Sequence, residues 1–321
     1  LSVAEHVPGA TLRLSVTDRC NLRCRYCMPA RGVAFVPHRD LPTLEDLREA
    51  VAWLAERLGV DRVKITGGEP LARRGLPWLV DGLRRIPELA EVSMTTNATL
   101  LARWAGVLKN AGLMRVNVSL DSLDSRRFHE VTRGGRVEDA LRGIDAALEA
   151  GLYPIKINSV LRSSSWEEDV PSLLDYAAGR GLEVRFIELM RTGTEAAWAN
   201  GEYVSAEAIR NALGFGGTDW GRIPGQVAPA RTGCIAWKGK SLQVGWITPV
   251  SHAFCSSCNR LRLDARGRIR RCLMDPAPMP LVGALKRDPA EVVEKELRSY
   301  LAGKRPPSSM DTHTFMNRIG G

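Results

Sequence analysis

Six short apolar strands alternate with amphipathic helical stretches between residues 12 and 189, and this rhythm restricts the fold more than any other feature of the chain. The strands read "LRLSVT" (12–17), "RVKIT" (62–66), "EVSMTT" (91–96), "RVNVSL" (115–120), "PIKINSV" (154–160) and "EVRFIEL" (183–189). Between the first two, Leu44, Leu47, Val51, Leu54 and Leu58 recur at helical spacing behind a capping-box-like Thr43 and Asp46. Further helices are expected over 76–86, 100–110, 136–150 and 167–179. Strand–helix alternation with right-handed crossovers gives a parallel sheet covered by helices. Six units are too few to close an eight-stranded barrel, which leaves a partial barrel or an open doubly wound sheet. Polar or glycine residues recur where the strands end: "TGGEP" (66–70), "TTN" (95–97), "SLD" (119–121), Asn158, Ser159 and Glu188. Parallel barrels gather their active sites at that face, so the expected class is α/β, a partial (β/α)6 TIM-like barrel.

Beyond residue 190 the rhythm breaks. A glycine- and proline-rich loop (214–229) precedes short strand patterns "SLQVGWIT", "RLRLD" and "RIRRCL", then a helix around 289–302 and a tail expected to be extended or mobile. The expected division is therefore 1–190 and 191–321. No apolar run approaches the length of a membrane span. The start, "LSVAEHVPGATLRLSV", has neither a basic n-region nor a long apolar h-region, so no signal peptide is expected; it opens on Leu1, as a trimmed start would. A net charge of +9 points to an anionic partner such as a nucleotide, nucleic acid or membrane surface. Seven cysteines in two tight groups, with Cys234 apart, suit two metal sites in a reducing cytoplasm better than a secreted disulfide framework.

The first group, "CNLRCRYC" (20–27), follows the first strand and so lies at the expected active face. Three thiolates are one short of a structural zinc site. A cubane iron–sulfur cluster held by Cys20, Cys24 and Cys27 would keep its fourth iron open, and an open iron can chelate the amino and carboxylate groups of S-adenosylmethionine. The rival is zinc with a distant fourth ligand. C-x3-C-x2-C with an aromatic before its last cysteine resembles the signature of the radical S-adenosylmethionine superfamily. That resemblance implies that Tyr26 lines the cofactor, that Gly68 and Glu69 of "GGEP" contact its methionyl part, and that Ser119 and Met190 complete the contacts.

The second group spans 255–272 as C-x2-C-x13-C, again three thiols: Cys255, Cys258 and Cys272. Cys234 is either a fourth ligand, making a zinc ribbon, or a small buried hydrophobe. Arg260 and Arg262 alternate along a strand-like stretch and share a face, which suits a clamp on polyphosphate.

A chain with both triplets, with "CNRLRL" inside the second and a final Gly320–Gly321, resembles the GTP 3′,8-cyclases of molybdenum-cofactor biosynthesis. The resemblance implies two [4Fe-4S] clusters, S-adenosylmethionine, and a C-terminal region that carries the second cluster and closes the barrel. It implies hydrogen abstraction from C3′ of GTP and ring closure onto C8 of the guanine, with that base held by the second cluster. GTP contacts fall on Arg13, Lys64, Thr95, Lys156, Arg260 and Arg262, with Arg185 and the Gly320–Gly321 tail assisting the chemistry. The family pattern favours arginine where Lys64 stands; lysine keeps the charge and loses the fork. The resemblance also implies a one-electron donor, a downstream pterin-forming enzyme and a cytoplasmic, membrane-free setting, and leaves a homodimer open. Two alternatives stand beside it. One is a radical enzyme acting on tRNA or a peptide, against which no RNA module and no interleaved aromatics are found. The other is a zinc-containing nucleic-acid-binding protein.

Overall fold

All six expected strands form: β1 (Ala10–Ser15), β2 (Val60–Thr66), β3 (Glu91–Thr96), β4 (Arg115–Ser119), β5 (Lys156–Val160) and β6 (Glu183–Ile187). They pair in chain order and in parallel. The structure is a computed structural model that describes residues 10–190, 201–221, 229–255, 258–306 and 316–319. Among these residues the sheet has ten strands. The C-terminal region supplies β7 (Arg231–Trp237), β8 (Lys240–Ile247), β9 (Arg260–Leu263) and β10 (Ile269–Arg270), giving the order β10-β9-β1-β2-β3-β4-β5-β6-β8-β7.

Here the structure corrects the sequence reading. The C-terminal strands do not close a six-stranded barrel; they extend both of its edges and the sheet stays open. β9 lies parallel to β1 and β8 parallel to β6, so a curved run of eight parallel strands contains two from the C-terminal region. Each outermost strand is antiparallel to the one inside it, so both edges end in hairpins instead of meeting.

The crossover helices are α1 (Leu44–Leu58), α2 (Leu76–Arg84), α3 (Ala105–Asn110), α4 (Ser125–Thr132), α5 (Val137–Glu149) and α6 (Trp166–Arg180). α1 begins with the expected capping box of Thr43 and Asp46 and ends at Gly59 in the left-handed region, φ 69°. The stretch expected as one helix over 100–110 is instead a 3-10 turn, Leu101–Arg103, a break at Trp104, then α3. α4 was not legible by periodicity, being mostly polar, although Asp124 caps it by accepting from the Arg127 backbone at 2.7 Å. The tail also departs from expectation: Met316–Ile319 is a helical turn, and buried Asn317 donates from Nδ2 to the Asp18 carbonyl at 2.8 Å.

Strand alternation sorts side chains into two layers. Leu12, Leu14, Val63, Ile65, Val92, Met94, Val116 and Val118 are fully buried beneath the helices. Their neighbours Thr11, Arg13, Arg62, Lys64, Glu91, Thr95, Arg115 and Asn117 line a cavity inside the curve of the sheet. Barrel interiors are ordinarily packed with branched apolar side chains. This one is polar, and it stays open as a cavity of about 980 Å³.

The helical coat fits tightly at one glycine. A Cβ on Gly143 of α5 would stand 2.1 Å from the Ala98 carbonyl oxygen and 3.1 Å from Leu101 Cβ, whereas one on Gly179 of α6 meets nothing within 4 Å. Gly143→Ala is expected to destabilise the protein by about 1–3 kcal/mol through overpacking. Gly179→Ala should stabilise by about 0.5–1 kcal/mol through helix propensity alone. Urea denaturation of both variants tests the pair, and equal shifts would contradict the packing described.

Candidate active site

The cysteine loop that follows β1 is tied down on three sides. α4, the unforeseen helix, offers the carbonyls of Thr132 and Val131 to the backbone N–H groups of Arg23 and Arg25 at 3.0 and 2.9 Å. The Arg133 guanidinium donates to the Met28 carbonyl at 2.8 Å. The "GGE" turn after β2 docks from the other side, with Gly68 N–H donating to Thr17 O at 2.7 Å and Glu69 N–H to Arg19 O at 2.8 Å. A Cβ on Gly68 would lie 2.3 Å from the Arg19 carbonyl oxygen, so this glycine is demanded by the approach of two backbones. Asp18, fully buried, accepts from Val36 N–H at 2.6 Å and closes the loop on itself.

Cys20, Cys24 and Cys27 thereby reach the cavity, with Gly68 and Glu69 beside them. Burial pushes Cys20 up to about 11, reinforced by Glu69, and Cys27 up to about 12, reinforced by Cys20. Burial followed by the charges of Cys27, Asp121 and Cys20 raises Cys24 well above the ordinary thiol. Three thiols that hold one another protonated become ligands only when a cationic centre displaces their protons. Among the described residues no three Cys, His, Asp or Glu side chains gather tightly enough for a single ion. Three buried thiols that sense each other's charge are a soft donor set of the kind iron–sulfur clusters take. The donor set therefore fits a thiolate-held iron–sulfur cluster.

Around this triplet, Tyr26 donates from its hydroxyl to Asp121 Oδ2 at 2.8 Å, and Asp121 Oδ1 accepts from Val160 N–H at 2.8 Å. Glu69 accepts from Thr96 Oγ1 at 2.7 Å, Asn97 N–H at 2.8 Å and Leu71 N–H at 3.1 Å, yet burial still lifts its carboxyl to about 7. Ser119 and Met190 line the same space.

The second triplet faces the same cavity. Cys255, Cys258 and Cys272 all line it, together with Arg260, Arg262 and Lys304. Burial, Cys272 and Cys258 raise Cys255, but for Cys258 the neighbouring Arg260 and Lys304 outweigh burial and lower its pKa. Lys304 Nζ stands 4.0 Å from Cys258 Sγ and donates to the Arg260 carbonyl at 2.8 Å. Cys234 departs from both sequence readings: it is exposed on β7, lies 2.8 Å from Ser241 Oγ, and does not line the cavity.

Between the triplets the lumen is strongly cationic. Ten lysines and arginines line it against four carboxylates, and that excess selects for an anion. Register sets their order: Arg13 lies opposite Lys64 on one side and Arg262 on the other, and Asn117 lies opposite Thr95 and Lys156. Burial, then Arg260, brings Arg13 down to about 10; burial, then Arg13, holds Arg262 well below its ordinary value. Lys64 is lowered well below 10.5 by burial, then by Arg115 and Arg13. Thus Arg13, Lys64, Thr95, Lys156, Arg185, Arg260 and Arg262 all line one cavity. Gly320 and Gly321 lie outside the described residues.

Sequence reasoning missed the carboxylates that balance these cations. Glu183 joins Lys156 and Arg185, at 2.6 Å each, and Glu91 joins Arg115 at 2.6 Å. Both were read as the first residue of a strand, and nothing local shows which cations the fold sets beside them. Arg115, Asn117, Asp121 and Lys304 were missed as well; a strict period-2 count from Ser119 back along β4 would have found two of them.

Comparison with known proteins now bears on this geometry. The sequence model of the Radical SAM superfamily matches residues 14–177, and that described as Molybdenum Cofactor Synthesis C matches 182–310. A GTP 3′,8-cyclase of Pelotomaculum thermopropionicum is 44% identical over 86% of this chain and 84% of its own. Those of Petrotoga mobilis and Peptoclostridium acidaminophilum are 42% and 40% identical; 97% of this chain is covered in both cases, with 97% and 95% of theirs. This chain belongs to the GTP 3′,8-cyclase family, within the radical SAM superfamily. The fold is similar to that of Streptococcus suis SuiB, solved with S-adenosylmethionine, at a TM-score of 0.62 over 91% of this chain and 68% of that one, with 16% identity.

In a radical SAM protein the docking of "GGE" onto the cysteine loop has a direct consequence. Gly68→Ala should push the Thr17–Arg19 backbone away and spread the first triplet. After anaerobic reconstitution, iron bound per chain is expected to fall below the wild-type value; unchanged iron would show that the loop tolerates the displacement.

Proposed function

We propose that this chain carries out the reaction its relatives are named for, GTP 3′,8-cyclisation, as a step toward molybdopterin. The observation that carries the reading is two thiol triplets lining one polycationic cavity inside a curved parallel sheet. Membership of the radical SAM superfamily brings one [4Fe-4S] cluster and S-adenosylmethionine. Cys20, Cys24 and Cys27 would hold the cluster, which with S-adenosylmethionine bound would supply the carbon-radical chemistry needed to lift hydrogen from C3′ of GTP.

Everything else is the work of the chain. Tyr26, Gly68, Glu69, Ser119 and Met190 line the wall beside the first triplet and would orient S-adenosylmethionine; the buried Glu69 carboxyl suits its ammonium group. Arg13, Lys64, Thr95, Lys156, Arg260 and Arg262 would receive the nucleotide, the guanidinium groups forking onto phosphate oxygens. Arg185, buried and lining the same cavity, would act near the reacting sugar. Cys255, Cys258 and Cys272 would hold a second [4Fe-4S] cluster beside which the guanine would bind, and Gly320–Gly321 would reach into the cavity from the tail. Asn317, on the turn just before them, is already bonded to the cysteine loop, which supports that direction of travel. On this reading residues 1–190 carry the radical centre and 191–321 the substrate-binding half. An external one-electron donor and a pterin-forming enzyme complete the pathway. All seven cysteines are free thiols, which suits a cytoplasmic setting, and among the described residues no helix is long and apolar enough to cross a membrane.

The test is an anaerobic assay on reconstituted protein with dithionite and S-adenosylmethionine, comparing GTP, ATP and no nucleotide. About eight irons per chain are expected, with 5′-deoxyadenosine formed fastest with GTP and a cyclised product. Cofactor cleavage indifferent to GTP would keep the radical centre and move the substrate to RNA or a peptide.

Lys64 gives a pH prediction. Its amine is lowered below 10.5 by burial, then by Arg115 and Arg13, while Glu91 pulls the other way. A bound triphosphate raises it again, so GTP binding takes up a proton over the interval below 10.5 and weakens as pH rises through it. Lys64→Arg, which stays charged, should reduce the uptake, leaving the share of Lys156, whose amine burial and Arg185 also lower. Calorimetric titration in buffers of different ionisation enthalpy reads the proton directly; equal uptake in both proteins would overturn the assignment to Lys64.

A further inference from the structure

Glu183 is the buried carboxylate of the lumen that touches two of its cations at once. It opens β6, two residues before Arg185, so both side chains lie on the same face of the strand. The β5–β6 register sets Lys156 directly opposite it. One oxygen, Oε1, accepts from Arg185 Nε at 2.6 Å, and the other, Oε2, meets Lys156 Nζ at 2.6 Å. The three side chains are 7%, 11% and 12% exposed. Lys156 and Arg185 line the cavity; Glu183, at the start of the same strand face, grips both from its edge. The grip engages Nε of Arg185, which fixes the plane of the guanidinium, and it removes one unit of positive charge from a cavity rich in cations.

We propose that Glu183 is a positioning residue for the cyclisation: by bridging Lys156 and Arg185 it sets the guanidinium plane of Arg185 against the substrate and restrains the affinity of the lumen for polyphosphate. This rests on the reading above that GTP occupies the lumen. Its two roles have opposite signs when the charge is removed, and that separates it from a residue that only holds the fold. Glu183→Gln keeps the shape and one acceptor but leaves both cations uncompensated. Such a cavity attracts a triphosphate at least as strongly, while Arg185 is no longer held in one orientation. Glu183→Asp keeps the charge and withdraws it by one methylene, so it should restore affinity to the wild-type value and recover part of the rate.

The experiment measures equilibrium GTP binding by calorimetry, and kcat and KM for GTP in the anaerobic assay, on reconstituted wild type and both variants. Expected for Glu183→Gln is a Kd for GTP no weaker than wild type together with a kcat lower by about ten- to a hundredfold, the scale of a small misplacement at a reacting centre. Part of that rate should return in Glu183→Asp. A kcat within twofold of wild type in Glu183→Gln would overturn the proposal. So would a Kd that weakens in parallel with kcat, or an aspartate variant no better than glutamine, since both mark a merely structural carboxylate. If Glu183→Gln does not fold, Glu183→Asp decides alone: a lowered kcat at unchanged Kd supports the proposal, and a Kd and kcat that worsen together overturn it. Wild-type protein that binds no GTP in the lumen would instead remove the function proposed above, an outcome separate from either of these.

Discussion

Charges enclosed by a sheet and its coat of helices repel one another with little water to screen them, and this structure is organised around making that arrangement tolerable. A lone cation moved into a dry interior loses far more solvation than packing returns, so it must be paired or lose its proton. The lumen uses both routes. Glu91 and Glu183 pair with Arg115, Lys156 and Arg185 along the wall of β3 to β6, whereas Lys64 is pushed toward its neutral form. What remains is a positive cavity whose repulsion is relieved by a polyanion. Substrate binding and relief of internal strain then come from the same charges, and the cavity is unfavourable to the fold in proportion to its usefulness.

The thiol triplets follow the same logic with the signs reversed. Burial raises Cys20, Cys24 and Cys27, and their mutual repulsion would resist simultaneous ionisation, so the loop could not supply three thiolates by itself. Its geometry is instead prepared by neutral backbone bonds from α4 and from the "GGE" turn. Those bonds do not involve the ligand atoms, although Cys20 Sγ also accepts from Leu22 N–H at 3.4 Å. At the second triplet Arg260 and Lys304 stand beside Cys258 and lower its pKa, so the two triplets reach the ligand state from different starting points.

Much of this was legible before any coordinate. The strand–helix rhythm located β1 to β6 to within two residues at each end, because an apolar strand under a helical coat has a strong pattern. The cysteines of both triplets and the basic residues assigned to the substrate all line one cavity, and Cys234 does not. Three things were not legible. α4 hides because its buried face is only Phe128, Val131 and Thr132. Glu91 and Glu183 hide because the partners of an acid at the head of a strand are known only once the neighbouring strand is in place. The sheet edges hide because pairing of β9 with β1 joins residues some 250 apart in sequence, and nothing local in "RLRL" names its partner.

That distant pairing is also what makes the site. β1 is hydrogen-bonded to β2 on one side and to β9 on the other, which sets Arg13 opposite Lys64 and Arg262 at once. A slip of one residue in either pairing would exchange the two faces of the strand, turning arginines into the helical coat and leucines into the lumen. The apolar residues Leu12, Leu14, Leu261 and Leu263 therefore specify the register, and the charged residues between them are carried into position by it. Ties across the seam reinforce the arrangement: Arg57 reaches Glu294, the Arg298 guanidinium donates to the Arg57 carbonyl, and Lys286 pairs with Asp46. The second triplet is thus delivered to the lumen by pairing with the strand that ends in the first. A chain that had folded only its N-terminal half would lack one wall of the cavity, so completion of the anion site waits for a pairing between distant parts of the sequence, the kind of contact that forms slowly.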